Sequence, residues 1–209
     1  MNTETAIVKK LKELYPEPKT ELVSANEMQL VVAVMLSAQT TDKKVNQVTA
    51  LLYKKYKTWN DFAEADLTTL QKDIHGVNFH LGKADRLIKA GRYIIENFNG
   101  KVPQKLVDLV KIPGIARKSA NVILQELWDI AEGIVVDAHV TRVANRLGLT
   151  KQTDAVKIER ELMLIVPKEY WRNFSGALVL LGRYVCVARK PECAECGLNQ
   201  LCPSAFNFS

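Results

Sequence analysis

Apolar residues recur three and four positions apart along almost the whole chain, and this spacing is what most constrains its fold. Residues at that spacing share one face of an α-helix, so each segment predicts a helix with a buried face. The one strand-like piece, residues 134–136, is too short to support a sheet. The sequence therefore predicts an all-α fold built from many short helices.

Polar residues at the ends of the apolar segments predict where helices begin. Three such segments are preceded by residues of the types that cap helix N-termini: Asn26 for the first, Thr41 or Asp42 for the second, and Asp66 for the third. The segment after Asn26 is apolar all round at its centre, which predicts a helix inside the core. Further helices are predicted over residues 104–110, 117–128, 138–147, 154–165 and 170–187.

The charge balance is basic, with a formal net charge of +6. Such an excess permits binding to nucleic acid or to an anionic surface without requiring either. The longest apolar run, residues 30–36, is far shorter than the roughly 20 residues of a membrane-spanning helix. The N-terminal segment is amphipathic and does not read as a signal peptide. We therefore expect a soluble, intracellular protein with no membrane partner.

All four cysteines lie close together near the C-terminal end: Cys186, Cys193, Cys196 and Cys202. Disulfides are disfavoured in a reducing cytosol, whereas four clustered thiolates hold zinc or an iron–sulfur cluster. Structural zinc sites usually pair two Cys-x2-Cys units, and only Cys193 and Cys196 are so paired. The spacing thus favours a [4Fe–4S] cluster over zinc, with four free buried thiols as the remaining alternative.

A Pro113-Gly114 turn leads directly into a predicted helix whose first turn carries Arg117 and Lys118. A helix start offers unpaired N–H groups and partial positive charge, and Gly114 lets the backbone approach a ligand closely. This arrangement suits a phosphate group. The simpler alternative is a turn between two packed helices. A second basic pair, Arg189 and Lys190, lies in the loop before Cys193, where it is placed to meet phosphates.

The chain resembles the endonuclease III family of DNA base-excision glycosylases over nearly its whole length. The segments that carry the resemblance are LSAQTTDKKVN (36–46), IPGIARKSANV (112–122), VDAHVTRVANRLG (136–148), GRYVCVARKPEC (182–193) and the cysteine spacing. The resemblance implies two helical subdomains flanking a DNA-binding cleft. Residues 20–131 would form a six-helix barrel domain with a helix–hairpin–helix motif. Residues 1–19 and 132–209 would form the [4Fe–4S] cluster domain, which carries the catalytic aspartate.

The resemblance also implies roles for individual residues. Lys118 matches the catalytic lysine and Asp137 the catalytic aspartate. Gln39 matches the residue that fills the space left by an extruded base. The remaining DNA-binding positions fall in four places. Phe79 and His80 lie in the loop that wedges the duplex, and Gly114, Ala116 and Arg117 lie in the hairpin. His139 follows the aspartate, and Arg189 and Lys190 lie in the loop between Cys186 and Cys193. The cysteine quartet matches the ligands of the [4Fe–4S] cluster.

The implied reaction is glycosylase and abasic-site lyase chemistry through a lysine Schiff base. A free lysine has a pKa of about 10.4 and is almost wholly protonated at neutral pH. We expect the helix start, the neighbouring Arg117 and partial burial to disfavour the charged form of Lys118. The implied substrate is double-stranded DNA with damaged bases, typically oxidised pyrimidines, or with abasic sites. We expect a monomer in the cytoplasm, held at the nucleoid through DNA.

One departure from the family pattern and two rival functions bear on this interpretation. Ala116 stands where the family commonly has a second hairpin glycine, and a positive φ there would cost alanine about 1 kcal/mol or more. An adenine-mismatch glycosylase relative would need a glutamate where this chain has Ala33, and would lack Lys118. A non-catalytic helix–hairpin–helix DNA-binding protein with a structural metal is the other rival. The presence of Lys118, Asp137 and Gln39 together argues against it.

Overall fold

The structure is a computed structural model that describes residues 3–207. Eleven α-helices follow one another in this range: α1 Thr3–Leu14, α2 Glu27–Ser37, α3 Asp42–Lys55, α4 Trp59–Ala63, α5 Leu67–Asp73, α6 His80–Phe98, α7 Leu106–Leu109, α8 Arg117–Trp128, α9 Ala138–Arg146, α10 Ala155–Ile165 and α11 Trp171–Tyr184. Short 3₁₀ turns occupy Lys168–Tyr170 and Asn199–Leu201. No strand occurs among the described residues, so the all-α prediction is confirmed.

The chain packs into two compact units. One unit is Glu21–Trp128, which contains α2 to α8. The other consists of the described parts of Met1–Thr20 and Asp129–Ser209, with α1 and α9 to α11. The assignment of a six-helix domain and an iron–sulfur domain to residues 20–131 and to 1–19 with 132–209 stays a prediction. Residues 1–2 and 208–209 of that assignment lie outside the described residues.

Helix α2 lies inside the core of the Glu21–Trp128 unit, as its apolar sequence predicts. Its residues 30–36 are all buried, and Ala33 is fully so. Asn26 caps the helix, because its side-chain oxygen accepts a hydrogen bond from the Gln29 N–H at 2.9 Å. With its first turn capped and its sides covered, α2 serves as a central helix against which α3, α6 and α8 pack.

The other predicted caps are confirmed. Thr41, rather than Asp42, caps α3 by accepting from the Lys44 N–H. Asp66 caps α5 by accepting from the Thr69 N–H at 2.8 Å. At the far end of α6, Asn99 takes a left-handed conformation with φ of 51° and ends the helix.

Helix α4 is the element that periodicity does not predict. It has five residues, which is too few to show a 3.6-residue repeat. It is fixed instead by a capping box, in which Thr58 accepts from the Asp61 N–H and the Asp61 carboxylate accepts from the Thr58 N–H. Trp59 and Phe62 are buried, so α4 packs closely on α6.

The second unit is built around α9 and α11, with α1 packed on α11. Its fully buried residues include Leu11, Val140, Phe174 and Leu178. The helix predicted over 170–187 ends earlier, at Tyr184, because Val185 leaves helical geometry. The cysteine segment, residues 186–202, begins directly after it. Likewise the helix predicted over 104–110 shrinks to Leu106–Leu109. Residues 134–136 form no strand. No described helix is long and apolar enough to cross a membrane.

Two glycines of α6 provide a matched test of packing. A Cβ at Gly91 would lie 3.0 Å from both the Ala63 nitrogen and the Trp59 oxygen of α4, and backbone atoms cannot easily yield. We expect Gly91→Ala to lower the free energy of unfolding by about 1–3 kcal/mol. Gly82→Ala should raise it by up to about 1 kcal/mol, since no atom lies within 4 Å of its Cβ position. Denaturant unfolding measures both, and equal effects would contradict the packing account.

Candidate functional site

The hairpin between α7 and α8 is set by Gly114. Its φ is +90°, which L side chains rarely adopt, and the Ile115 N–H closes the turn by donating to the Ile112 carbonyl at 3.0 Å. A Cβ at this position would lie 3.0 Å from Cε of Met35 and 3.1 Å from Cβ of Arg86. The backbone conformation therefore favours glycine, and a side chain would also force Met35 and Arg86 to shift. The turn leads the chain to the start of α8.

Ala116 does not carry the strain that its family position suggested. No positive φ occurs at Ala116; in this hairpin only Gly114 has one. The Ala116 carbonyl accepts the first hydrogen bond of α8, from the Ala120 N–H at 2.9 Å. The conditional cost of about 1 kcal/mol for alanine at this position therefore does not arise.

Lys118 is the second residue of α8 and is exposed to solvent. The expectation that it is partly buried is wrong, because the buried residues of α8 begin only at Ala120. Its environment is therefore the exposed start of α8, beside Arg117, where the helix dipole places partial positive charge.

Gln39 and Phe79 lie on two neighbouring loops that are hydrogen-bonded to each other. Both residues have left-handed backbones, with φ of 56° and 58°, and both side chains are exposed. The Asn78 side chain donates to the Gln39 carbonyl, and the Asn78 N–H donates to Oγ1 of Thr40 at 3.1 Å. The structure thus brings the predicted space-filling residue and the predicted wedge together. His80 starts α6 beside them and packs edge-on against His75.

No motif marks Lys83 in the sequence, yet it is the most unusual polar residue of this region. Its side chain is buried, 4% exposed, on the inner face of α6. Nζ donates to the carbonyls of Leu36 and Ala38, at 2.6 and 2.7 Å, and approaches Oγ1 of Thr40 at 3.2 Å. Its position on the apolar face of α6 was the available signal, since a lysine there must find oxygen partners.

In the other unit, Asp137 caps α9 with one carboxylate oxygen. Oδ1 accepts from the N–H groups of His139 and Val140, at 2.8 and 2.9 Å. Among residues 3–207, no hydrogen bond reaches Oδ2. The carboxylate is half-buried. One oxygen therefore fixes the side chain while the other is available to a proton or a developing positive charge.

Arg142 connects the start of α9 to the cysteine segment. Its Nη2 lies 3.3 Å from Nδ1 of His139 and donates to the Gly182 carbonyl at 2.7 Å. Its Nε donates to the Cys186 carbonyl at 3.2 Å. Arg189 and Lys190, further along the same segment, are both exposed, and Lys190 has a left-handed backbone. Their charges therefore face water.

The four cysteines line one pocket, together with apolar residues of α9 and α11. Burial raises the pKa of the Cys196 and Cys202 thiols, so ionised sulfurs there need a compensating positive charge. At Cys186 a positive charge is close by, since Nη1 of Arg146 lies 3.3 Å from its Sγ. Among the described residues no group of three or more His, Cys, Asp or Glu is arranged around a single ion. The four cysteines that line this pocket would supply the thiolates that hold a [4Fe–4S] cluster, and this donor set fits that group.

Comparison with known proteins places the chain. Residues 32–168 match the family model described as HhH-GPD superfamily base excision DNA repair protein, and residues 186–202 match the iron–sulfur binding domain of endonuclease III. The chain belongs to the endonuclease III family. This member of the family is a DNA N-glycosylase and abasic-site lyase of base excision repair, and its cofactor is a [4Fe–4S] cluster.

The similarity extends over whole chains. Endonuclease III of Synechocystis sp. is 46% identical over 96% of this chain and 92% of its own. Endonuclease III of Bacillus subtilis is 43% identical over 92% of this chain and 88% of its own. A solved structure of a trapped endonuclease III–DNA covalent intermediate matches with a TM-score of 0.91 and 37% identity, covering 98% of both chains. The predicted family and cofactor are thereby confirmed.

The hairpin geometry makes a prediction for its two small residues. Gly114→Ala should lower the free energy of unfolding by about 1–2 kcal/mol and weaken binding to duplex DNA, because the turn must distort. Ala116→Gly, the matched control, should leave DNA affinity unchanged, since its backbone already has an ordinary φ. Denaturant unfolding and a fluorescence-anisotropy titration with duplex DNA measure the two effects. Tighter binding by Ala116→Gly would contradict this account of the hairpin.

Proposed function

We propose that Lys118 is the nucleophile of the glycosylase and lyase reactions. The observation that carries this proposal is an exposed lysine on the first turn of α8, directly after a hairpin that requires Gly114. The related endonuclease III trapped as a covalent intermediate with DNA supports it. The neutral ε-amine attacks C1′ of the deoxyribose as the bond to the damaged base breaks. The base leaves with the bonding electron pair and takes up a proton.

The same lysine then carries the lyase step. Opening of the sugar ring converts the C1′ adduct into an imine, which acidifies the proton on C2′. Loss of that proton and departure of the 3′ phosphate, with cleavage of the C3′–O bond, cut the strand by β-elimination. Hydrolysis of the imine returns the free amine. All of the covalent steps thus belong to one side chain on a rigid helix.

Asp137 serves as the second catalytic group. Oδ1 is occupied by the N-cap bonds, which leaves Oδ2 to accept a proton from the attacking amine or to stabilise positive charge on the sugar. Because its N-cap bonds hold the carboxylate at the start of a helix, its orientation does not depend on a flexible loop. His139 lies two residues further on, half-buried beside Arg142, and contacts DNA close to this carboxylate.

Base extrusion is assigned to the two hydrogen-bonded loops. Removing a base from the stack costs a few kcal/mol, and inserted side chains offset that cost. Gln39 fills the vacated space, and Phe79, which is 66% exposed, wedges the duplex together with His80. An exposed aromatic ring on a left-handed loop residue has no packing role in the free protein, which supports this assignment.

Phosphate binding is assigned to the hairpin and to the cysteine segment. Gly114, Ala116 and Arg117 offer backbone N–H groups and charge at the start of α8. Arg189 and Lys190 add two exposed cations on a segment fixed by Cys186 and Cys193. The four cysteines are the ligands of the [4Fe–4S] cluster, which orders this C-terminal segment when bound.

The preferred substrates are double-stranded DNA with oxidised pyrimidines and DNA with abasic sites. The protein acts as a monomer, and its place is the cytoplasm, at the nucleoid. The Glu21–Trp128 unit holds the nucleophile, whereas the other unit holds the carboxylate. The absence of a carboxylate at the buried Ala33 supports this chemistry over that of an adenine-mismatch glycosylase.

Borohydride trapping tests the nucleophile. The wild-type protein should become covalently attached to a duplex containing an abasic site when the imine is reduced, and it should release an oxidised pyrimidine from a second duplex. Lys118→Gln should abolish both reactions and still bind the duplex, because only the amine is removed. Gel analysis of the reduced complex and an anisotropy titration measure these outcomes.

Arg117→Gln, which changes the neighbouring residue, is the matched control and should still be trapped. A wild-type protein that does not trap, or a Lys118→Gln variant that traps equally well, would show that another group is the nucleophile.

Replacing Arg189 and Lys190 by alanine should weaken duplex binding regardless of sequence. The slope of log affinity against log salt concentration should fall by about 2, because each phosphate contact contributes about 0.9. Lys151→Ala with Lys157→Ala removes the same charge from another exposed part of the same unit and should leave the slope nearly unchanged. An equal change of slope in both double variants would assign the effect to net charge alone.

A further inference from the structure

Lys83 is a buried cation with no acidic partner. Among residues 3–207 its ammonium is bonded to oxygens of Leu36, Ala38 and Thr40 and to no carboxylate. Burial, reinforced by the nearby Arg86, lowers the pKa of Lys83 to about 8. Burying an ammonium without a counter-charge is unfavourable, and an apolar residue at this position would pack against α2 without that cost.

The three oxygens that Lys83 binds share one location, the junction between α2 and α3. Leu36 belongs to the last turn of α2, whose carbonyls have no partner within the helix, and Ala38 is the C-cap residue. Thr40 also accepts from the Asn78 N–H. The ammonium therefore spans the residues on both sides of Gln39.

Gln39 itself needs such support. Its φ of 56° is a left-handed conformation, which is unfavourable for any residue other than glycine. This conformation persists because the surrounding contacts fix it. Lys83 donates to the Ala38 carbonyl and to the Thr40 hydroxyl on either side of Gln39. The Asn78 side chain donates to the Gln39 carbonyl. These bonds fix the backbone while the Gln39 side chain stays exposed.

We propose that Lys83 is a positioning residue for base extrusion: its ammonium holds the Gln39 loop in the conformation that inserts into DNA. This inference rests on the proposed role of Gln39. A loop fixed before DNA binds avoids the loss of backbone entropy on insertion, and a small displacement of a positioned group can cost a large factor in rate. Lys83 thus acts through Gln39 and touches neither the base nor the sugar.

The test compares two lysines of α6. Lys83→Met keeps the length of the side chain and removes the ammonium, whereas Lys89→Met removes an exposed lysine paired with Asp85. Single-turnover release of an oxidised pyrimidine should fall about tenfold to a hundredfold in Lys83→Met and be unchanged in Lys89→Met. Borohydride trapping on a duplex with a preformed abasic site should change less, because no base has to be extruded. An equal loss in both reactions would overturn the proposal.

A double-mutant cycle separates positioning from general stability. If Lys83 acts through Gln39, adding Lys83→Met to Gln39→Ala should cause no further loss of base release. Thr40→Val removes the shared acceptor with little change of shape and should show the same non-additivity. If Lys83→Met does not fold, the cycle of Thr40→Val with Gln39→Ala tests the positioning role by itself.

Two outcomes of the cycle distinguish the inference from the function on which it rests. If Gln39→Ala leaves base release unchanged, the proposed role of Gln39 fails and the positioning role fails with it. If Gln39→Ala is defective and the Lys83→Met or Thr40→Val loss adds to it in full, only the positioning role fails.

Discussion

Every α-helix leaves four N–H and four C=O groups without a partner inside the helix, and a chain of many short helices has many such ends. How those ends are satisfied determines most of this structure. Side chains of Asn26, Asp66 and Asp154 cap N-termini by accepting from backbone N–H groups. At the C-terminal end of α2 the side chain of Lys83 acts as a donor instead, to the carbonyls of Leu36 and Ala38. Each of these bonds fixes the loop beside it as well as the helix.

The same helix ends carry the proposed chemistry. Asp137 uses one oxygen as the N-cap of α9, and the proposed mechanism assigns the other oxygen to the sugar, so one carboxylate would combine a structural and a catalytic role. The start of α8 presents Lys118 in the same turn to which we assign phosphate binding. Left-handed backbones at Gln39 and Phe79 are costly, and both occur at exposed side chains that we propose to insert into DNA.

The C-terminal segment depends on a different constraint. Beyond α11 the chain has little apolar surface of its own: Leu198 is its one fully buried apolar residue within the described range. The segment Asn199–Leu201 packs against α1, and Arg146 ties the chain at Cys186, Val187 and Ala188. The cysteines, through their cluster, replace the core that this segment lacks.

The sequence by itself determined the helices, their caps, the hairpin glycine and the cysteine quartet, because periodicity, capping chemistry and ligand spacing act over a few residues. It failed for α4, which is too short to show a repeat, and for the exposure of Lys118. Only the tertiary structure decided that Asn78 and Lys83 meet the Gln39 loop, because those contacts join residues about forty positions apart. A buried lysine and its carbonyl partners have no local pattern, since the partners are backbone atoms that every residue has.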